Sequence, residues 1–370
     1  MSPTKKTKPP AGTKNKNKKE AKPKKKKVSK KTTPVAKRNP DNLSELRQDL
    51  VTGDWVVIAN SRGKKPNDFK TAMDLTQDTS EEDCLFCDPV ASGQEKDVLI
   101  YSTSDDDWSL RVFPNKYPAF SRPKGKINHQ EEGPYFWMDG VGYHEVIVTR
   151  DHFERIGSMD NLKVAEIFDA FQTRYLDLMN KKSVRYIEIF HNQGKEAGAS
   201  IFHPHSQLVA MPVISPYIRS ELKGAERYHR SHKECVYCSM FEWEKKEDKR
   251  IIFENERFVA FCPFASRRAF EVWVMPKDHE PYFERMDTED KVDAGEALNE
   301  AIRKINEVLN DPDYNFYLHT SPCDGKDYPH YHWHIEILPK TSIWAGFELS
   351  TGVEISAIEP EKAAKALKKA

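Results

Sequence analysis

Two pairs of cysteines are each followed by histidines at similar distances along the chain. Cys84 and Cys87 are separated by two residues, as are Cys235 and Cys238. Thiolates and imidazoles together suit zinc, and two intervening residues let both sulfurs of a pair reach one ion. We therefore predict a closed, four-ligand structural metal site from each pair. The alternative for either pair is a redox dithiol.

The same order of features follows each pair. After the first pair, His152 follows a strand-like segment, and His203 comes 51 residues later. After the second pair, His279 occupies the same place, and His330 comes 51 residues later. Each interval contains a helical pattern and then a strand pattern, which indicates a duplicated unit. The imidazoles of the first metal site are expected to be His152 and His203.

Only the first copy ends in His203-Pro-His205-Ser-Gln207. Alternate side chains of a strand share one face, so His203 can hold the metal while His205 and Gln207 face a substrate. A neutral imidazole is a competent nucleophile toward phosphorus when an acceptor holds its other nitrogen. The Gln207 amide can donate to a phosphoryl oxygen without adding charge. We predict that His205 carries the chemistry; the alternative is another metal ligand or a core histidine.

The zero net charge of the 370-residue chain conceals two oppositely charged parts. Residues 1–40 hold 16 of the 58 basic residues and one acid, so the remainder carries 42 basic and 57 acidic residues. These 40 residues are also poor in apolar side chains, which predicts a disordered basic arm. Such an arm could make weak nucleic-acid contacts, or act only as a solubilising tail. No signal peptide or membrane span is recognisable, so we predict a cytoplasmic protein without a membrane partner.

The segments between the motifs predict an α+β fold. Amphipathic helices are expected over residues 160–180, capped by Asp160, and over residues 288–309. Strands are expected at residues 54–59, 142–149, 184–190, 202–211 and 272–275, with a hairpin at 251–261. Strands on either side of one helix in each copy favour two α+β units that share an antiparallel sheet. Their boundary is predicted within residues 212–220, where two prolines interrupt the strand pattern.

These motifs resemble those of galactose-1-phosphate uridylyltransferase, a nucleotidyltransferase branch of the histidine-triad superfamily. The resemblance is carried by Gly198-Ala-Ser200, by the motif at residues 203–207, by Cys84 and Cys87, and by Gly-Tyr-His-Glu-Val-Ile-Val ahead of His152. It extends from about Leu43 to Gly352. It implies two histidine-triad-like repeats, each an antiparallel sheet with a packed helix. The first is a catalytic domain at residues 41–212, and the second occupies residues 213–370.

The resemblance also implies an activity. The second histidine of the family motif is the nucleophile, which makes His205 the residue that receives the nucleotidyl group. His205 would attack UDP-glucose, glucose 1-phosphate would leave, and galactose 1-phosphate would collect the uridylyl group in a ping-pong cycle. A role in galactose metabolism and a homodimer are implied as well.

Further site residues follow from the resemblance where this sequence matches it. Nucleotide-binding positions correspond to Arg62 and Asn115. Positions near the phosphates correspond to Asn192 and Ser200, and the phosphoryl contact corresponds to Gln207. The segment that meets the sugar corresponds to Phe347 and Glu348.

The second metal site departs from part of the family, which uses a carboxylate and histidines there. Cys235, Cys238 and His279 are closer to the ADP-glucose phosphorylase branch. We predict His332 as the fourth ligand, while the 51-residue spacing selects His330, and His319 and His334 also compete. Zinc is expected in both sites, with iron as the alternative in the second.

Three functional hypotheses follow. The first is the uridylyltransferase reaction described above. The second is ADP-glucose phosphorylase activity, because that branch shares the histidine motif and the Phe-Glu-x-x-Thr-Gly ending. The third is a protein without catalytic activity that binds a nucleotide or a nucleic acid.

Overall fold

A computed structural model describes residues 43–59, 66–70, 80–103 and 107–370. The predicted basic arm at residues 1–40 and the predicted nucleotide contact Arg62 lie outside these ranges. The strands are β1 (Glu45–Gln48), β2 (Trp55–Ile58), β3 (Leu99–Ser102), β4 (Trp108–Pro114), β5 (His129–Glu132), β6 (Tyr135–Met138), β7 (Tyr143–Thr149), β8 (Tyr186–Gln193), β9 (His205–Met211), β10 (Ile251–Glu254), β11 (Phe258–Phe261), β12 (Val272–Pro276), β13 (Tyr314–His319), β14 (His334–Pro339) and β15 (Glu354–Ser356). The helices are α1 (Asn161–Met179), α2 (Pro216–His232), α3 (Val236–Glu247), α4 (Thr288–Leu309), α5 (Gly346–Thr351) and α6 (Pro360–Leu367).

Ten of the strands form one antiparallel sheet, as expected for an α+β protein. Read inward from one edge, the order is β3, β4, β7, β9 and β8. Read inward from the other edge, the order is β10, β11, β12, β14 and β13. The two halves of the sheet meet where β8 pairs with β13. Strands β1, β2 and β15 form a small second sheet, and β5 pairs with β6 as a hairpin.

One face of the large sheet is covered by α1 and α4. Their apolar side chains share a core with inward-facing residues of both halves, including Ile147, Leu208, Val274 and Ile335. The helices approach closely at Gly295 of α4, where a Cβ atom would lie 2.9 Å from the backbone nitrogen of Ala165 in α1. Because side chains alternate along each strand, the intervening residues point to the opposite face.

The opposite face carries the cysteine segments. In the first half, Cys84 and Phe86 pack on Phe113, Val146 and Val148. In the second half, Cys235 and the first turns of α3 pack on a cluster that includes Trp273 and Met275. The sheet therefore separates the face covered by α1 and α4 from the face that holds the residues predicted to do chemistry.

Both predicted helices are confirmed. α1 begins after Asp160, whose side chain accepts a hydrogen bond from the backbone N–H of Leu162. α4 spans the predicted residues and begins with a capping box, in which Asp287 and Asp290 each accept from the other's backbone N–H. Charged side chains that satisfy the free N–H groups of a first turn are a strong start signal in a sequence.

One expectation about a strand end needs correction. The strand predicted over residues 202–211 begins at His205, because Pro204 has no N–H to contribute to the ladder. His203 therefore lies in the bend before β9. In the predicted boundary segment, α2 starts at Pro216, with Ser215 as its cap. None of the helices in the described ranges has the length and apolar character needed to cross a membrane.

Candidate active site and metal-binding groups

The structure brings Cys84, Cys87, His152 and His203 together, with one potential ligand atom from each within 4.8 Å of the others. Cys87 Sγ lies 3.2 Å from His152 Nδ1. His203 Nδ1 lies 3.5 Å from both sulfurs. The four residues come from the loop before β3, the loop after β7 and the bend before β9. Pairing of β7 with β9 brings the last two segments together.

The second group has the same construction. Cys235, Cys238, His279 and His332 place their potential ligand atoms within 4.8 Å of one another. Cys238 Sγ lies 3.5 Å from Nδ1 of each histidine. The structure thus places His332 in the group, as predicted. His330 lies outside it, near the ring of His229.

The outer nitrogens of these histidines indicate how well the groups fit a metal. His203 Nε2 is 2.7 Å from the carbonyl oxygen of Thr149, and His332 Nε2 is 3.0 Å from that of Pro276. His279 Nε2 is 2.9 Å from the carbonyl oxygen of Pro329. A carbonyl at Nε2 keeps the proton there and leaves the Nδ1 lone pair facing the thiols, as metal-binding histidines require. The residues present therefore fit two closed sites of two thiolates and two imidazoles.

His205 lies at the start of β9, beside the first group. Its Nδ1 is 2.9 Å from the carbonyl oxygen of His203. A carbonyl oxygen can only accept, so Nδ1 carries the proton and Nε2 keeps its lone pair. Burial lowers the pKa of His205, which favours this neutral form. The ring of Phe86, between the two cysteines, meets His205 edge-on at 5.1 Å.

Gln207 shares a face of β9 with His205, two residues along the strand. Its Oε1 lies 2.8 Å from His144 Nε2 on the neighbouring strand β7. Asn115, directly after β4, places its Nδ2 3.5 Å from the same oxygen. The structure therefore brings Gln207 and Asn115 together, and it adds His144, for which no role was predicted.

The loop before the histidine motif is tied to the centre of the sheet. Gly194 has φ of +82°, and a Cβ atom there would lie 1.9 Å from Asp313 Oδ1. Asp313 Oδ2 accepts a hydrogen bond from the backbone N–H of Glu196 at 2.6 Å. Asn315 Nδ2 donates to the carbonyl oxygen of Ala197 at 2.8 Å and to Asn192 Oδ1 at 2.7 Å. This anchoring sets the path of the chain into His203 and His205.

The remaining predicted contacts lie apart from these hydrogen bonds. Ser200 is exposed in the loop before the motif. Phe347 is half-exposed on the short helix α5. Glu348 accepts a hydrogen bond from the backbone N–H of Ala345 at 3.1 Å, at the start of its own helix.

A third convergent group lies in the second half of the sheet. Glu221, His319, His334 and Glu336 are buried, and their potential ligand atoms lie within 4.8 Å of one another. Although burial opposes it, the nearby carboxylates of Glu221 and Glu336 raise the pKa of His319 to about 9. Arg267 also contacts Glu336. The group can hold positive charge, either as a metal ion or as a protonated imidazole.

From the sequence, His319 and His334 are expected only as competing ligands of the second metal site. His332, His334 and Glu336 are spaced two residues apart, and alternate residues of a strand share one face. This spacing could have predicted that the three side chains lie close together. Glu221 lies on α2, one residue after the segment predicted as the domain boundary. No local pattern connects it to residues more than 90 positions away.

Two family models match the chain. The model described as the N-terminal domain of galactose-1-phosphate uridyl transferase matches residues 6–214. A model described as a domain of unknown function matches residues 126–370.

Individual proteins match over most of their length. An ADP-glucose phosphorylase from Arabidopsis thaliana is 36% identical over 330 residues, covering 88% of this chain and 92% of that protein. A galactose-1-phosphate uridylyltransferase from Thermotoga maritima is 28% identical over 335 residues, covering 88% and 98%. The crystal structure of an Arabidopsis thaliana ADP-glucose phosphorylase with bound ADP-glucose matches with a TM-score of 0.74 and 32% identity, covering 89% of this chain and 99% of that one. The chain therefore belongs to the galactose-1-phosphate uridyl transferase family.

Proposed function

We propose that this chain is a nucleotidyltransferase that carries a nucleotidyl group on Nε2 of His205. The observation that supports it is the hydrogen bond from His205 Nδ1 to the His203 carbonyl oxygen at 2.9 Å. That contact fixes the tautomer with a free lone pair on Nε2 and supports the positive charge that develops on the ring during attack. The donor would be a nucleoside diphosphate sugar, in keeping with the family.

The proposed reaction has two displacements at the same phosphorus. Nε2 attacks the α-phosphorus of the donor, and the bond from that phosphorus to the bridging oxygen breaks, so hexose 1-phosphate leaves. A phosphate oxygen of the acceptor then attacks the phosphorus, and the phosphorus–nitrogen bond breaks to restore neutral His205. The Gln207 amide N–H would donate to a phosphoryl oxygen in both steps. Asn115 would contact the nucleotide, and Asn192 and Ser200 would lie near the phosphates. Phe347 and Glu348 would contact the sugar.

The base and the acceptor define two versions of this reaction. The resemblance to galactose-1-phosphate uridylyltransferase supports uridylyl transfer from UDP-glucose to galactose 1-phosphate, within galactose metabolism. The 36% identity to an ADP-glucose phosphorylase, against 28% to a galactose-1-phosphate uridylyltransferase, favours adenylyl transfer from ADP-glucose to phosphate. We place adenylyl transfer first and keep uridylyl transfer as the second candidate.

The proposal extends to the two cysteine and histidine groups and to the architecture. Zinc in both groups would hold the loop before β3 and the start of α3 against the sheet. Iron is the alternative in the second group. The matching strand orders of the two half-sheets support two histidine-triad-like repeats, with a boundary between residues 212 and 213. The predicted homodimer, the cytoplasmic location and the nucleic-acid contact of the arm remain predictions.

Intact-protein mass spectrometry tests the reaction. Wild type and His205→Asn are incubated briefly with ADP-glucose or UDP-glucose, without acceptor, and His330→Asn serves as a control outside the proposed site. We expect an adenylyl-sized adduct from ADP-glucose on wild type and His330→Asn, absent from His205→Asn. Added inorganic phosphate should remove it.

Each other outcome identifies an alternative. A uridylyl-sized adduct that only galactose 1-phosphate removes would establish the uridylyltransferase version. An adduct on His205→Asn would show that His205 is not the nucleophile. No adduct with either sugar, in folded and metal-loaded protein, would favour a binding protein. In that case, deleting residues 1–40 should remove any salt-dependent nucleic-acid binding.

A further inference from the structure

The orientation of the Gln207 amide decides what it can do. One end of a glutamine amide is an acceptor oxygen and the other is an NH₂ donor. Only the NH₂ end can stabilise a negatively charged phosphoryl group. If the oxygen faced the phosphate, two partial negative charges would be opposed. A group that fixes the amide direction therefore affects the reaction without touching the substrate.

His144 Nε2 lies 2.8 Å from Gln207 Oε1. The contact at the other ring nitrogen shows which nitrogen carries the proton. The backbone N–H of Ala119 donates to His144 Nδ1 at 3.1 Å. A backbone N–H is always a donor, so Nδ1 must accept, and the proton of the neutral ring is on Nε2. Burial lowers the pKa of His144, which favours the neutral ring.

Asn115 offers a second donor to the same amide oxygen. The backbone N–H of Tyr117 donates to Asn115 Oδ1 at 2.8 Å. This fixes the Asn115 oxygen toward the backbone and leaves its NH₂ group 3.3 Å from His144 Nε2 and 3.5 Å from Gln207 Oε1. Because His144 Nε2 carries a proton, Gln207 Oε1 is the acceptor of these two atoms. Two side chains, each oriented by a backbone N–H, thus present donors to one end of the Gln207 amide.

The strand register makes the His144 contact specific. β7 and β9 are antiparallel neighbours in which Val146 pairs with Gln207 and His144 pairs with Val209. His144 and Gln207 are therefore diagonal neighbours on one face, within reach of long side chains. His205 lies on that same face and pairs across to Val148.

We propose that His144 is a positioning residue that turns the NH₂ group of Gln207 toward the transferred phosphoryl group, by donating from Nε2 to Gln207 Oε1. The inference deepens the proposed function and rests on it for the identity of the phosphoryl group. His144 would not contact the substrate. Its loss would let the Gln207 amide rotate and spend part of its time with oxygen toward the phosphate.

The first test is a double-mutant cycle on the rate constant of adduct formation with ADP-glucose and UDP-glucose. His144→Phe keeps a planar ring and removes the donor, and we expect a loss of about tenfold in the rate constant with little change in KM. Gln207→Ala should lower the rate further. In the Gln207→Ala background, His144→Phe should add nothing, because its effect passes through Gln207. Full multiplication of the two losses would overturn the proposal.

A conservative variant and a tautomer measurement make the test independent of folding defects. His144→Gln keeps an N–H donor near the position of Nε2 and should recover most of the rate. Histidine ¹⁵N NMR of wild type, assigned by comparison with His144→Phe, should show the Nε2–H tautomer at His144; an Nδ1–H tautomer would overturn the inference. If wild type forms no adduct, the proposed reaction is refuted. The His144 tautomer measured by NMR would still show which way the Gln207 amide is turned.

Discussion

His205 and His334 make the same backbone contact in opposite halves of the sheet. His205 Nδ1 lies 2.9 Å from the carbonyl oxygen two residues earlier, and His334 Nδ1 lies 3.1 Å from the equivalent oxygen of His332. Their surroundings differ at Nε2. For His334 that atom lies 3.6 Å from Glu336 Oε1, and the residue is completely buried. Where the first half has a neutral Gln207 two residues on, the second has a carboxylate, which would repel a phosphate.

Placing that carboxylate in the first half should stop the reaction. Gln207→Glu replaces an N–H donor with a negative charge beside the transferred phosphoryl group, so we expect adduct formation to slow by about 10²- to 10³-fold. Gln130→Glu adds the same charge on an exposed strand and should react like wild type. Rates come from quenched incubations read by intact mass. Equal rates for Gln207→Glu and Gln130→Glu would contradict the role of Gln207.

Metal content should follow the two cysteine and histidine groups. We expect zinc in both groups, measured per chain by elemental mass spectrometry, and the loss of one ion in either Cys84→Ser or Cys235→Ser. Each variant should also unfold at a lower denaturant concentration, because metal binding contributes to folding. His332→Asn should lose the second ion, whereas His330→Asn should retain it. Iron bound to the second cysteine and histidine group would contradict the prediction of zinc in that group.

The buried ion pair between β7 and α1 should be important for stability. Arg174 donates to both carboxylate oxygens of Glu145, at 2.8 and 3.0 Å, and both side chains are buried. Glu145→Gln would leave the guanidinium partly uncompensated, so we expect a loss of about 3–5 kcal/mol in unfolding free energy by urea titration. Glu307→Gln breaks an exposed contact to Arg303 and should change stability by at most about 0.5 kcal/mol. Similar losses in both variants would contradict this assignment.

The buried His191 should make stability depend on pH. Burial, assisted by nearby His205, lowers the pKa of His191 from 6.5 to about 3. Below pH 6.5 this histidine binds a proton in the unfolded chain, whereas in the folded chain it stays neutral down to about pH 3. The unfolding free energy should therefore fall as the pH drops through this window, by up to about 1.4 kcal/mol per unit from this residue.

The His191→Phe variant isolates that contribution. It keeps an aromatic ring against Phe316, which stacks on His191 at 5.1 Å, and removes the titration. Urea titrations from about pH 6.5 to 5 should show a shallower slope for the variant than for wild type. His129→Phe, at an exposed strand residue, is the control and should keep the wild-type slope. Equal slopes for His191→Phe and wild type would contradict the prediction.

The features that depend on local order along the chain could be predicted from the sequence. The cysteine spacings, the histidine motif and the resemblance they carry predicted the family, and periodicity with capping predicted α1 and α4. It also predicted the first group of four potential ligands. Each of these follows from residues within one turn, one strand or one repeat, where chain geometry leaves few alternatives.

Contacts between distant side chains became known from the three-dimensional structure. It placed His332, the predicted fourth ligand, beside Cys238 and left His330, which the repeat spacing selects, outside the group. It joined Glu221 of α2 to His319 of β13, and it directed His144 at Gln207. These contacts depend on strand pairing and on how helices pack across the sheet. They are therefore properties of the folded chain as a whole, which no short segment encodes.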